Sequence, residues 1–205
     1  MNERGTAGVR KATDDDVSAL AASLARAFFD DPVIEWMVPD ARRRERTSAF
    51  GFETWLRKMY LPKGEVYTDD QCSGGALWAP PGAWKLPAAQ QLRLMPRMTR
   101  IFGVRRLPLI LNGMLAIEKK HPDDRPHWYL AILGTDPEHQ GRGIGSAVMQ
   151  PVLERCDAEG IPAYLESSKE RNVPYYRRHG FEVTQEFELP KGPPVWGMWR
   201  EPRPG

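Results

Sequence analysis

The chain has 205 residues, 41% hydrophobic and 27% charged, with a formal net charge of +2: enough length for one domain with a substantial core, and too little charge to make nucleic acid the main partner. Its two cysteines, Cys72 and Cys156, lack CxxC partners, which argues against a zinc site and a disulfide framework. The start, MNERGTAGVRKATDDD, has no apolar run, and no stretch approaches the roughly 18 apolar residues of a membrane span, so neither export nor a membrane is indicated and a cytoplasmic protein is the expectation.

VRKAT, Val9 to Thr13, reads as a short strand. The stretch DDDVSALAASLARAFFDDP follows, acidic at its start, with Val17, Leu20, Leu24 and Phe28 at helical spacing and Pro32 as its stop. A second helix spans about residues 42–60, and its run Arg42-Arg43-Arg44-Glu45-Arg46 reads as a solvated face. GEVYTDD and GGALWAPPG read as two strands around a turn, ended by Pro80 and Pro81. Residues 88–120 are helical in pattern, with breaks near Gly103 and Pro108. HWYLAILGT is an apolar strand that runs into a Gly-rich turn and then a helix to about Ala158. That helix carries Ile144, Val148, Val152 and Cys156 on one face, and Pro151 inside it predicts a kink or a locally lost hydrogen bond. AYLESS is a strand, NVPYYRRHG a short helix stopped at Gly180, and FEVTQEFEL a half-buried strand to which VWGMW pairs back. The order is mixed, ending β-turn-α-β-α-β-β.

The turn HQGRGIGSAV, His139 to Val148, carries the chemistry. Ser146 stands where a dinucleotide fingerprint needs its last glycine, and no lysine is present for a P-loop. A Gly-rich turn between a strand and a helix still suits an anion, because free N–H groups and the helix dipole point outward there. The competing reading is a tight turn that needs glycine for backbone reasons alone.

Gln140-x-x-Gly143-x-Gly145 resembles the [RQ]xxGx[GA] motif of the GNAT superfamily of N-acetyltransferases. AYLESSKERNVPYYRRHGFEV resembles that family's second signature: a strand, an asparagine opening a short helix, a tyrosine within it, and Gly-Phe entering the next strand. From Trp128 onward the chain is similar to the puromycin N-acetyltransferase-like enzymes; the likeness is weaker over residues 9–82 and poor over 83–126. The resemblance implies an α/β (α+β) GNAT fold: a central mixed sheet, its fourth and fifth strands splayed, flanked by helices. It implies one domain over residues 1–205, with a variable helical segment at about 83–126 over the acceptor cleft.

The implied co-substrate is acetyl-CoA. Its pyrophosphate would lie on Gln140, Gly141, Arg142, Gly143, Ile144 and Gly145. Its amide-rich arm would add as a strand to the edge at Leu133, Gly134 and Thr135. Gly134 and Pro137 are consistent with disturbed pairing there. Asn172 reads as a helix cap, and the resemblance adds a bond to the arm.

Acetyl transfer requires a deprotonated amine and a reprotonated thiolate. An alkyl amine of pKa ~10.4 costs ~4.6 kcal/mol to deprotonate at pH 7, and a tyrosine of pKa ~10 protonates a thiolate of pKa ~8.5 at a mismatch of ~2 kcal/mol. The resemblance makes Tyr176 the general acid. Tyr175 is its rival, since consecutive helical residues point ~100° apart and only one reaches the sulfur. Tyr176 also reads as core packing beside Phe181. Glu166 matches an acceptor-side glutamate, acting as a base through water or orienting the amine; the alternative is a solvated strand carboxylate. Asp30 and Asp31 fall on the loop that borders the acceptor in such enzymes, or form an ordinary turn before Pro32. His127, His139 and His179 lack metal-ligand spacing, so no metal is expected; His139 flanks the turn.

The expected activity is acetyl transfer to a primary amine of a small molecule, an antibiotic or other secondary metabolite. The alternatives are a protein lysine or N-terminal acetyltransferase and a CoA-binding domain without catalysis. Retention of Gln140, Gly143, Gly145, Asn172 and Tyr176 argues against the last. The aliphatic, Met-rich segment 83–126 favours a closed apolar pocket or self-packing helices. Puromycin itself is not implied, because acceptor-side residues diverge. The expected partner is the small amine, with neither nucleic acid nor membrane, for a monomer or homodimer.

Overall fold

The computed structural model describes residues 8–203; most of the polar start on which the absence of an export signal was read lies outside them. Seven strands form one sheet in the order β1-β2-β3-β4-β5-β7-β6. They are β1 (Val9–Lys11), β2 (Val66–Asp69), β3 (Gly74–Ala79), β4 (Trp128–Thr135), β5 (Ala163–Ser167), β6 (Glu182–Glu188) and β7 (Pro194–Arg200). The helices are α1 (Val17–Ala27), α2 (Pro32–Met37), α3 (Ala41–Trp55), α4 (Ala88–Phe102), α5 (Leu107–Lys120), α6 (Ile144–Glu159) and α7 (Val173–Arg178). Among the described residues no helix is long and apolar enough to cross a membrane.

Both faces of the sheet are covered, so β2 and β3 are buried at every position. On one face Ile144, Val148, Val152 and Cys156 of α6 pack with Leu165, Tyr176 and Phe181. On the other, Leu20 and Leu24 of α1 and Phe52 of α3 pack on Leu77 and Ile132. A third cluster joins Leu94, Met98 and Ile110 of α4 and α5 to Ile34 and Met37 of α2, while Leu92 and Leu115 face outward. The segment's apolar side chains are thus largely taken up in helix-to-helix packing.

Every strand of the pair that matters is parallel and short in register. β4 pairs with β5 only from Trp128↔Ala163 to Leu130↔Leu165, although β4 continues to Thr135 against β3 on its other side. The two strands therefore splay beyond Leu130, as expected of a GNAT sheet. The disturbance sits earlier than Gly134: the β3–β4 register shifts between Leu77 and Trp78, leaving Ala131 as an extra residue, a bulge that bends the strand. Gly134 has a different reason to be glycine. A Cβ there would come within 2.8 Å of the Phe28 ring and 2.9 Å of Leu24, where α1 crosses the strand.

Several local readings are corrected. Pro32 does not stop α1, which ends at Ala27; it is the first residue of α2, where a missing N–H costs nothing. The second helix changes to a π-helical turn at Leu56–Tyr60, which turns Tyr60 into the core. Arg44 is buried rather than solvated, donating to the carbonyls of Phe29, Val38 and Pro39 and to Glu35. α6 continues through Pro151, which has no N–H to give the Ala147 carbonyl, so the expected loss is confined to one hydrogen bond and does not end the helix.

At the end of the sheet, Arg200 is 3% exposed and holds Asp157 through two hydrogen bonds of 2.8 and 2.7 Å. Those bonds keep the Asp157 carboxyl below the ordinary carboxylate range. A depressed folded-state value stabilises the fold above the unfolded pKa of ~3.9 and the benefit is lost as pH falls below it. Asp157→Asn is expected to lower Tm at pH 7 and to narrow the gap from the parent by pH 3; a gap independent of pH would remove the ionic contribution.

Candidate active site

The splay opens a cleft of about 1020 Å³. It is lined by Leu133, Gly134 and Thr135 of β4, by Gln140, Gly141, Gly143, Ile144 and Gly145 of the turn, and by Asp30, Asp31, Asn172, Tyr175 and Tyr176. These thirteen residues, all singled out in the sequence, thus meet in one space. Arg142 and Glu166 do not line it. The Arg142 guanidinium is turned back onto the Glu138 carbonyl at 3.2 Å.

The turn is built as an anion cradle. Gly141 and Gly143 have φ of +76° and +82°, and a Cβ on either would meet nothing within 4 Å. Gly143 caps α6, and the first bond of the helix runs from the Ala147 N–H to the Gly143 carbonyl. The N–H groups of Ile144, Gly145 and Ser146 are left without helical partners and face the open space. Gly145 is tight: a Cβ would stand 3.0 Å from the Tyr175 hydroxyl. His139 Nδ1 is buried beside the turn without a hydrogen-bond partner. Arg178 lies over the Tyr175 ring at 5.4 Å and makes no ion pair among the described residues. Free donors, an orphan imidazole nitrogen and an uncompensated guanidinium fit a pyrophosphate. The unpaired edge of residues 131–135 fits an amide-rich chain.

Asp31 is buried, caps α2 by accepting from the Val33 and Ile34 N–H groups, and accepts from Ser168. Burial pushes its carboxyl above the usual range against those bonds. Asp30 accepts from Lys169 at 2.6 Å and from Arg171 at 2.5 Å, so its charge is already neutralised. Asn172 is not a cap in the chemical sense. The 3-10 turn Glu170–Asn172 runs straight into α7, its backbone is already helical at φ −88° and ψ −15°, and its side chain makes no capping bond. That leaves its amide available to the cleft.

Tyr175 and Tyr176 both line the cleft but differ in setting. Tyr176 packs edge-on against Phe181, with ring centroids 6.2 Å apart, and burial first, then Tyr175 and Asp31, pushes its phenol up. It stays a neutral O–H donor throughout the physiological range. The Tyr175 hydroxyl lies 3.3 Å from Ser146 Oγ, itself 3.0 Å from His179 Nε2.

Glu166 is the first β5 residue past the last β4–β5 rung. Its side chain is 8% exposed, so it is not a solvated strand carboxylate. Oε1 lies 3.3 Å from His121 Nδ1. Tyr129 and Tyr164, directly opposite each other in register, border the same carboxylate; burial and then Glu166 raise both phenols, as they do Tyr60. His121 is 1% exposed and stacks on Trp84 at 3.8 Å. The sequence did hold part of this cluster, since Tyr164 and Glu166 two apart on a strand share a face. His121 and Trp84 lie in the segment without resemblance, and no local pattern ties them to β5.

Residues 110–181 match the Acetyltransferase (GNAT) family. The chain is 30% identical over 207 residues to the uncharacterized N-acetyltransferase C550.08 of Schizosaccharomyces pombe, covering 91% of this chain and 80% of that protein. It is similar to the crystal structure of histone acetyltransferase HPA2 and related acetyltransferase from Corynebacterium glutamicum, with 27% identity, TM-score 0.73, and 96% and 97% of the two chains covered. Arylalkylamine N-acetyltransferase 2 from Aedes aegypti shares the fold at 13% identity and TM-score 0.60, covering 96% and 99%. The chain belongs to the GNAT family of acetyltransferases, and is an N-acetyltransferase of that family. Enzymes of this family generally use acetyl-CoA.

Proposed function

We propose that the chain transfers an acetyl group from acetyl-CoA to a primary amine of a small molecule, as one domain with the helices of segment 83–126 on the acceptor side. The observation that carries this reading is the continuity of the cleft from the glycine turn, along the free β4 edge, to Tyr176. Bound acetyl-CoA supplies an activated acyl thioester. The N–H groups of residues 144–146 and the open glycines hold its pyrophosphate, with Gln140 and Arg142 bordering the turn. Leu133, Gly134 and Thr135 carry its amide arm by strand addition, with the Asn172 amide alongside. Tyr176 holds the proton that the departing thiolate takes. Glu166, outside the cleft lining on the other strand of the splay, acts on the amine through water, and Asp31 borders the cleft near Ser168.

The likeness to puromycin N-acetyltransferase-like enzymes supports a small acceptor. So does the burial of Glu166, 8% exposed beside His121, on which Trp84 stacks. A second reading, acetylation of protein amines, is favoured by the likeness to the Corynebacterium structure. Offering acetyl-CoA with small amines and with lysine and N-terminal peptides separates the two.

Glu166→Gln provides a sharper test. An amine of pKa ~10 needs deprotonation worth several kcal/mol, whereas one near 8 needs little. The variant is expected to lose about 10²–10⁴ in kcat/KM with the first amine and much less with the second. Equal losses would leave Glu166 as a positioning group.

A further inference from the structure

Resting on the acceptor reading above, we infer that His121 and Glu166 form one proton-holding pair that receives the proton of the incoming ammonium group, His127 fixing the tautomer of His121. Hydrogen-bond chemistry orders the chain from its far end. His127 Nδ1 lies 2.8 Å from the Arg125 carbonyl, which can only accept, so Nδ1 carries a hydrogen. Burial lowers the His127 pKa, against the pull of Glu166 and Asp124, so the ring is neutral and its Nε2 is an acceptor. His121 Nε2, 2.9 Å away, must therefore donate to it. That leaves His121 Nδ1 with a lone pair facing Glu166 Oε1 at 3.3 Å, two acceptors in contact unless a proton stands between them.

The groups around the pair cannot change charge in its place. Tyr60 from the π-helical turn, Tyr129 from β4 and Tyr164 from β5 all have raised phenol pKa values and remain neutral. Tyr164 Oη accepts from Gln185 Nε2 at 3.1 Å, which frees its hydrogen for Glu166. Lys85, beside the stacked Trp84, is paired with Glu118. A proton taken up between His121 Nδ1 and Glu166 would lie within a box of aromatic rings, with Trp84 stacked on His121 and Tyr129 and Tyr164 edge-on at 4.7 and 4.9 Å.

The step balances simply. The ammonium N–H bond breaks, the electron pair stays on nitrogen as the nucleophile, and the proton passes by way of water and Glu166 to His121 Nδ1. Only the resting pair with Nδ1 empty can take it. His121 acts through Glu166 and is a positioning residue; its Nδ1 lone pair, 3.3 Å from Oε1, gives the proton a second site beyond the carboxylate.

The experiment needs no substrate in its first arm. Protein carrying 15N-histidine is titrated by NMR as parent and as Glu166→Gln. The His121 ring is expected to titrate at lower pH in the variant by at least about one unit, a tenfold weaker hold on the proton. An unmoved His121 titration overturns the proposal. In the second arm His121→Asn keeps a hydrogen-bond donor near the Nδ1 position but cannot titrate. It is expected to lose at least about tenfold in kcat/KM for a high-pKa amine, with a smaller loss for a low-pKa amine and acetyl-CoA affinity retained. Equal loss for both amines, or none for either, overturns it. If His121 responds to Glu166 while peptides alone are acetylated, the pair stands and the small-amine reading falls.

Discussion

Tyr176→Phe is expected to lower kcat by about 10²–10⁴, the scale of a lost proton-transfer group, with little change in acetyl-CoA Kd. The substitution keeps the ring that packs on Phe181, so the core is conserved and only the hydroxyl is lost. Tyr176 is buried and its phenol raised, so it reaches the reaction protonated at any physiological pH. Tyr175→Phe is expected to be mild by comparison, because its hydroxyl is directed at Ser146 in the first turn of α6. Pre-steady-state measurement of both variants decides the matter. The reverse order of effects would give the proton to Tyr175 and the Ser146–His179 chain behind it.

Gly143→Asp is expected to abolish measurable acetyl-CoA binding in a folded protein. A Cβ at residue 143 meets nothing within 4 Å, so the side chain clashes with no part of the chain itself. The φ of +82° costs an L-residue roughly 1–2 kcal/mol, and aspartate is among those that tolerate it best. The new carboxylate would occupy the cradle, engage the free N–H groups at the start of α6 and repel a pyrophosphate. Calorimetry with acetyl-CoA, alongside a melting curve, reads both effects. Unchanged affinity in the folded variant would remove the turn from the binding site.

The glycine turn and the second half of the sheet were legible in the sequence because their signals are local. Gly141 and Gly143 announce positive φ, Ile144 to Cys156 keep a helical stripe, and Phe181 to Leu189 alternate. The splay was legible only through resemblance. Its physical origin, the bulge at Ala131, has no marker in the tetrapeptide Leu130-Ala131-Ile132-Leu133. Pro32 was misread because a proline that ends one helix and a proline that begins the next look alike until Asp31 is seen to cap α2. Arg44 was misread because a basic run hides the one member whose guanidinium finds three carbonyls. The His121–Glu166 pair joins residues 45 positions apart, and nothing in either neighbourhood specifies the other.

The central claim is that this cleft joins acetyl-CoA to a small primary amine. Mass spectrometry of the protein with acetyl-CoA and a mixed panel of small amines and lysine and N-terminal peptides tests it most directly. The expected result is a small amine heavier by one acetyl group, formed only with active protein and suppressed by Tyr176→Phe and Gly143→Asp. Acetylated peptides with every small amine unmodified would contradict it.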